Sequence, residues 1–105
     1  MSIAMKLHLE SGPTIKPVTL ESLSQIKGEP FAILSIDDDT YIQCAEQGDS
    51  PNEYVLEYQA GSSGEHYSAV DEPITLDRVV AAFSKYLRGD PSWRDDFEWE
   101  KMDLE

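Results

Sequence analysis

The chain predicts an α+β fold: an antiparallel sheet of about five or six strands, with one long and one short helix packed on one face. Three observations lead there. Several short segments alternate apolar and polar residues with a period of two, as half-buried strands do. Clusters of Gly, Pro, Asn, Asp and Ser separate these segments at hairpin spacing. One segment near the C-terminus switches to a helical period. At 105 residues, the chain is expected to form a single domain over 1–105.

In chain order, Ile3, Met5, Leu7 and Leu9 alternate with Lys6 and His8, which predicts a strand with one buried face, ended by Gly12-Pro13. Thr19 can cap a short helix with Glu21 in its first turn and Leu20, Leu23 and Ile26 on one face, closed by Lys27 and Gly28. Phe31 to Ile36 reads as a central strand, and Thr40 to Cys44 as its partner across an Asp37-Asp38-Asp39 hairpin tip. A second turn spans Gln47 to Asn52. Beyond it, Tyr54, Leu56 and Tyr58 alternate with Glu53, Val55, Glu57 and Gln59. Ala60 to Gly64 is a third turn and His66 to Val70 a further strand. This succession favours an antiparallel meander.

The helix is predicted over Leu76 to Leu87. Thr75 stands at its N-cap, Asp77 in its first turn, and Leu76, Val79, Val80, Phe83 and Leu87 form an apolar stripe. Gly89 and then Pro91 stop it, after Lys85 and Arg88 have placed positive charge at its C-terminal end. Phe97, Trp99 and Lys101 alternate with Glu98, Glu100 and Met102 as a last strand, with Phe97 and Trp99 packing the core.

Charge restricts function. Twenty-one carboxylates face eight Lys and Arg, for a formal net charge of −13. Binding DNA, RNA or an anionic membrane takes Lys and Arg to neutralise phosphates, so neither nucleic acid nor membrane is an expected partner. The acidic surface keeps the chain soluble and suits a cationic partner equally well. With Cys44 as the single cysteine, no internal disulfide can form. No apolar run approaches the ~18–20 residues that span a bilayer. The N-terminus alternates where a secretory signal would be continuously apolar, so a cytoplasmic location is expected.

The candidate sites reduce to contacts with a partner. An EF-hand loop starting at Asp37 would need Gly at its sixth position and Glu at its twelfth, where Ile42 and Gly48 stand. Gly61-Ser62-Ser63-Gly64 is neither a nucleophile elbow nor a phosphate-binding loop. His8 and His66 lie far apart and carry no catalytic signature. One Cys and two distant His make no zinc site, and Cys44 reads as a small core residue. No metal, no cofactor and no catalytic residue are expected. Twenty-one acids allow many carboxylate pairs, which for that reason say little. Trp93, flanked by Ser92 and Arg94 in a polar connection, either folds back over the helix end or is an exposed anchor. The residues expected to contact a partner are Asp37, Asp38, Asp39, Trp93, Asp95 and Asp96: carboxylates to steer and an aromatic to anchor.

The helix Thr75 to Gly89, followed by Pro91 and by Phe97-Glu98-Trp99, resembles the C-terminus of the Imm1-type immunity proteins of bacterial polymorphic toxin systems. Tyr54 to Gly61 is similar to their central hairpin, and the resemblance runs from about Phe31 to Leu104. Nine residues separate Gly89 from Trp99, a longer interval than the family pattern, and Trp93 is additional to it. The resemblance implies a small acidic α+β protein without catalytic residues. Such a protein binds and inhibits a cognate toxin, often a nuclease or deaminase with a basic surface. Two other classes suit the composition: a non-catalytic accessory or regulatory subunit of a cytoplasmic complex, and a small carboxylate-dependent enzyme. An unpaired edge strand would also allow a homodimer.

Overall fold

Six strands run in sequence order across one antiparallel sheet, each bonded to its chain neighbours. They are β1 (Lys6–Leu9), β2 (Phe31–Asp37), β3 (Thr40–Gln47), β4 (Ser50–Ala60), β5 (His66–Ala69) and β6 (Trp99–Met102). An α-helix, α1 (Leu76–Leu87), lies between β5 and β6 in the chain. Short 3-10 helices occupy Glu21–Ile26, Ser63–Glu65 and Pro91–Asp96. This computed structural model describes residues 5–10, 12, 14–27, 29–47, 50–70 and 74–102. The α+β class, the six-stranded sheet and the long helix agree with the expectation; Ile3, Pro13 and Gly28 lie outside the described residues.

Alternation sets the faces. Met5, Leu7, Ala32, Leu34, Ile42, Cys44, Tyr54, Leu56 and Tyr58 point to one side and are buried, together with Leu23 and Ile26 of the first 3-10 helix. Pairing fixes this register, since a slip of one residue would turn every one of these side chains to the opposite face. In β2–β3, the pairing shifts between Ser35 and Asp37, where an extra residue sits before the turn. β4 starts at Ser50, three residues earlier than its alternation predicts, because Gln47 pairs with Ser50.

The helix meets the sheet through Val79, Ala82, Phe83 and Tyr86, all buried. The predicted stripe is therefore rotated. Ala82 and Tyr86 take the central places assigned to Val80 and Leu87, which are only half-buried along with Leu76. Ala82 lets the helix approach closely, and Tyr86 reaches the aromatic cluster below. Thr75 stands at the N-cap, but its hydroxyl caps nothing; its carbonyl accepts the Val79 N–H at 3.0 Å. The C-terminal end closes as a Schellman motif. Gly89, at φ +75°, donates to the Tyr86 carbonyl, and Asp90 donates to that of Lys85.

The first 3-10 helix is capped reciprocally. The Ser22 N–H donates to Thr19 Oγ1, and the Thr19 N–H donates to Ser22 Oγ, each at 3.2 Å. Leu23 and Ile26, three residues apart on one face of the 3-10 helix, are buried as predicted, whereas Leu20, at the N-cap ahead of it, is exposed.

Candidate functional site

Among the described residues, the helices and the apolar core share one face of the sheet. The opposite face carries the polar half of every strand, and the pairing registers order these side chains into rows across the sheet. One row reads Lys6, Ser35, Tyr41, Gln59 and His66 from β1 to β5. The next reads His8, Ile33, Gln43, Glu57, Ser68 and Glu100 from β1 to β6. A third, shorter row is apolar: Phe31, Ala45 and Val55.

The middle of this face is a closed hydrogen-bond network. His66 lies 2.8 Å from Glu57 Oε1 through Nε2 and 3.1 Å from Gln59 Oε1 through Nδ1. Tyr41 donates its hydroxyl to the same Gln59 oxygen at 3.2 Å, and Gln43 donates to Glu57 at 3.1 Å. The Gln59 amide nitrogen donates to the Asp39 carbonyl, which fixes the orientation of the amide. His66 and Gln59 are buried at 3% and 7% exposure although they stand on the uncovered face. Burial, and secondarily the Glu57 and Asp39 carboxylates, raise the pKa of Tyr41 above its ordinary value. Both ring nitrogens of His66 face side-chain oxygens of β4, one of Glu57 and one of Gln59. Its geometry clips β3, β4 and β5 together.

Two depressions flank the network. Phe31, Ile33, Ala45 and Val55, all half-buried, line a shallow apolar one of about 300 Å³ that Glu57 borders. A larger one, about 670 Å³, lies toward the β1 edge between Lys6, His8, Lys16, Asp37 and Asp38.

The residues expected to contact a partner differ in exposure and in what they already hold. Asp37, Asp38 and Asp39 are exposed at the β2–β3 turn, and the Asp37 carboxylate accepts the Asp39 N–H at 2.8 Å, an ordinary Asx turn. Asp38 and Asp37 rim the uncovered face. Asp95 is exposed on the last 3-10 helix. Asp96 is spent internally: its carboxylate holds Lys85 Nζ at 2.6 Å, and its carbonyl accepts from Arg78.

Trp93 is not an exposed anchor. It is 5% exposed, edge-on to Tyr58 at 4.8 Å and to Trp99 at 5.7 Å, and tilted against Tyr86 at 5.4 Å. The 3-10 turn Pro91–Asp96, opened by Asp90 accepting the Ser92 N–H, swings this one side chain inward and leaves Arg94, Asp95 and Asp96 outside. Arg94 then covers the cluster, 5.2 Å from the Tyr58 ring centre and 5.3 Å from that of Trp93. Phe97 and the half-buried Trp99 pack the core as expected. Cys44 is buried in the core, and burial pushes its thiol up to about 12.

Sequence reasoning missed Lys6, His8, Lys16, Tyr41, Gln59 and His66 as neighbours. The alternation of each strand names the face its residues share, but only the registers bring strands 1 to 5 into common rows. No helix among the described residues is long and apolar enough to cross a membrane. Comparison of the chain with protein-family models, with curated proteins and with solved structures finds no match.

Proposed function

We propose that this chain is a binding protein and not an enzyme: an immunity protein of the bacterial cytoplasm that occludes a cognate toxin with a basic surface. The observation that carries this reading is the uncovered sheet face, an apolar strip of Phe31, Ile33, Ala45 and Val55 beside Glu57, on a strongly acidic chain. Apolar surface rimmed by polar groups marks contact sites between proteins. Twenty-one carboxylates against eight Lys and Arg leave an excess of thirteen negative charges. Their summed field steers a cationic partner toward the molecule, and the apolar strip supplies contact area once it arrives. Asp37, Asp38, Asp39 and Asp95 are exposed and suited to steering, whereas Trp93 contributes only to the scaffold and Asp96 is held by Lys85.

The test is an affinity capture of the tagged chain at low and moderate salt, with partners identified by mass spectrometry and then assayed. Capture of a basic toxin domain in equal ratio, inhibited by the chain and associating more slowly as salt rises, is the expected result. Recovery of a housekeeping complex with no toxin would overturn the reading and favour an accessory subunit.

A further inference from the structure

Among the described residues, Lys6 and Lys16 both border the uncovered face at its β1 edge. Leu7 and Ile15 exchange both backbone hydrogen bonds, at 3.0 and 2.9 Å, in an antiparallel bridge. That pairing sets Thr14 opposite His8 and Lys16 opposite Lys6. The first juxtaposition is visible directly, since Thr14 Oγ1 lies 2.6 Å from His8 Nδ1. The second brings two lysines to the same edge of the sheet, where their like charges disfavour one another. Neither Lys6 nor Lys16 forms an ion pair with a carboxylate among the described residues.

Both lysines line the 670 Å³ cavity, within the size range of small-molecule sites. Ser35, directly opposite Lys6, adds a hydroxyl to the cationic wall. Asp37 and Asp38 line the same cavity. Asp37 stands two residues along β2 from Ser35, a backbone rise of roughly 7 Å in an extended strand. A polyanion fits poorly here, because the net charge of −13 repels it at long range. A ligand with no net charge suffers no such repulsion, and its two opposite charges match the lysines and aspartates that line the cavity.

We propose that this cavity binds a small zwitterionic molecule. Its carboxylate or other anionic group lies between Lys6 and Lys16, and its ammonium group lies against Asp37 and Asp38. The site is independent of the occlusion of a toxin.

The experiment titrates the isotope-labelled full chain with γ-aminobutyrate, butyrate and succinate, followed by amide chemical shifts at ionic strength held constant with sodium chloride. The expected result is saturable shifts centred on Lys6, His8, Thr14, Ser35 and Tyr41, with γ-aminobutyrate bound more tightly than butyrate and succinate weakest. Lys6 and Lys16 are exposed, so the K6Q/K16Q variant keeps its fold, as the unperturbed remainder of the spectrum will report. That variant should weaken binding by roughly tenfold or more, the loss of hydrogen bonds to a charged group. D37N/D38N should abolish the preference for γ-aminobutyrate over butyrate while retaining butyrate. Shifts that do not saturate, that centre elsewhere, or that survive K6Q/K16Q unchanged would overturn the proposal; succinate binding most tightly would overturn the zwitterionic assignment.

Discussion

Replacing Trp93 with Ala should destabilise the fold by about 3–5 kcal/mol, the usual cost of truncating a large buried aromatic. The magnitude follows from its surroundings. The indole is 95% removed from solvent, since 5% remains exposed, and it sits edge-on to Tyr58 at 4.8 Å. Truncation returns on the order of 150–200 Å² of apolar surface to water or to a void, about 4–5 kcal/mol at 25 cal/mol/Å². The edge-on contacts with Tyr58 and Trp99 and the tilted one with Tyr86 add specific pairing to that burial. Arg94 would lose one of the two rings it covers. Urea unfolding, followed by far-ultraviolet circular dichroism, reads the change as a lower midpoint at unchanged slope. In a domain of this size, the melting temperature should fall by at least ~12 °C. Trp93→Phe, which keeps an edge for Tyr58, should recover most of the loss. An exposed anchor would behave differently: its removal would shift stability by less than about 0.5 kcal/mol. A Trp93→Ala change below about 1 kcal/mol, with the slope unaltered, would refute the buried placement and return Trp93 to the candidate binding surface.

Three further outcomes are expected. Gly89→Ala should cost about 1–2 kcal/mol in the same unfolding assay. The position has open space for a Cβ, but its φ of +75° is unfavourable for any L-residue, so a neutral result would mean the helix end lacks its Schellman geometry. At alkaline pH, burial holds the Cys44 thiol and the Tyr86 phenol up at about 12, against ordinary values of 9.0 and 10.0. The folded state thus binds more protons than the unfolded one between those limits. Stability should be complete below about pH 9 and fall as pH rises toward 12, and Cys44→Ala should remove the thiol's share of that fall. A stability flat across this range would contradict the burial of both groups. His66→Ala should lower stability by about 2 kcal/mol, since it removes one partner each from Glu57 and Gln59 in a largely buried network, and should speed hydrogen exchange of the β4–β5 amides. Unchanged exchange there would show that His66 does not clip the strands.

Some elements were legible locally. The alternation of Tyr54, Leu56 and Tyr58 against Val55, Glu57 and Gln59 assigned the two faces of β4, because a strand's period of two is a property of its own backbone. The Asp37-Asp38-Asp39 tip and the Gly89 stop were readable for the same reason: Asx turns and a positive φ are short-range demands. Trp93 was not. Its polar neighbours describe a solvated loop, and its burial depends on a 3-10 turn that aims one side chain at Tyr58, thirty-five positions earlier in the chain. The helix stripe was nearly right, but sequence hydropathy favours Val80 and Leu87, while the sheet below selects Ala82 for its small size and Tyr86 for its reach.

The amino-acid sequence by itself determined the class of fold, the order of the elements, the identity of most core residues and the excess of negative charge. Each is set by local backbone preference or by composition. Tertiary structure alone decided which polar side chains meet. The opposition of Lys6 and Lys16, and the convergence of Tyr41, Glu57, Gln59 and His66, depend on strand registers. Those registers are enforced by burial of the other face, because a one-residue slip would expose the core and dissolve both arrangements at once.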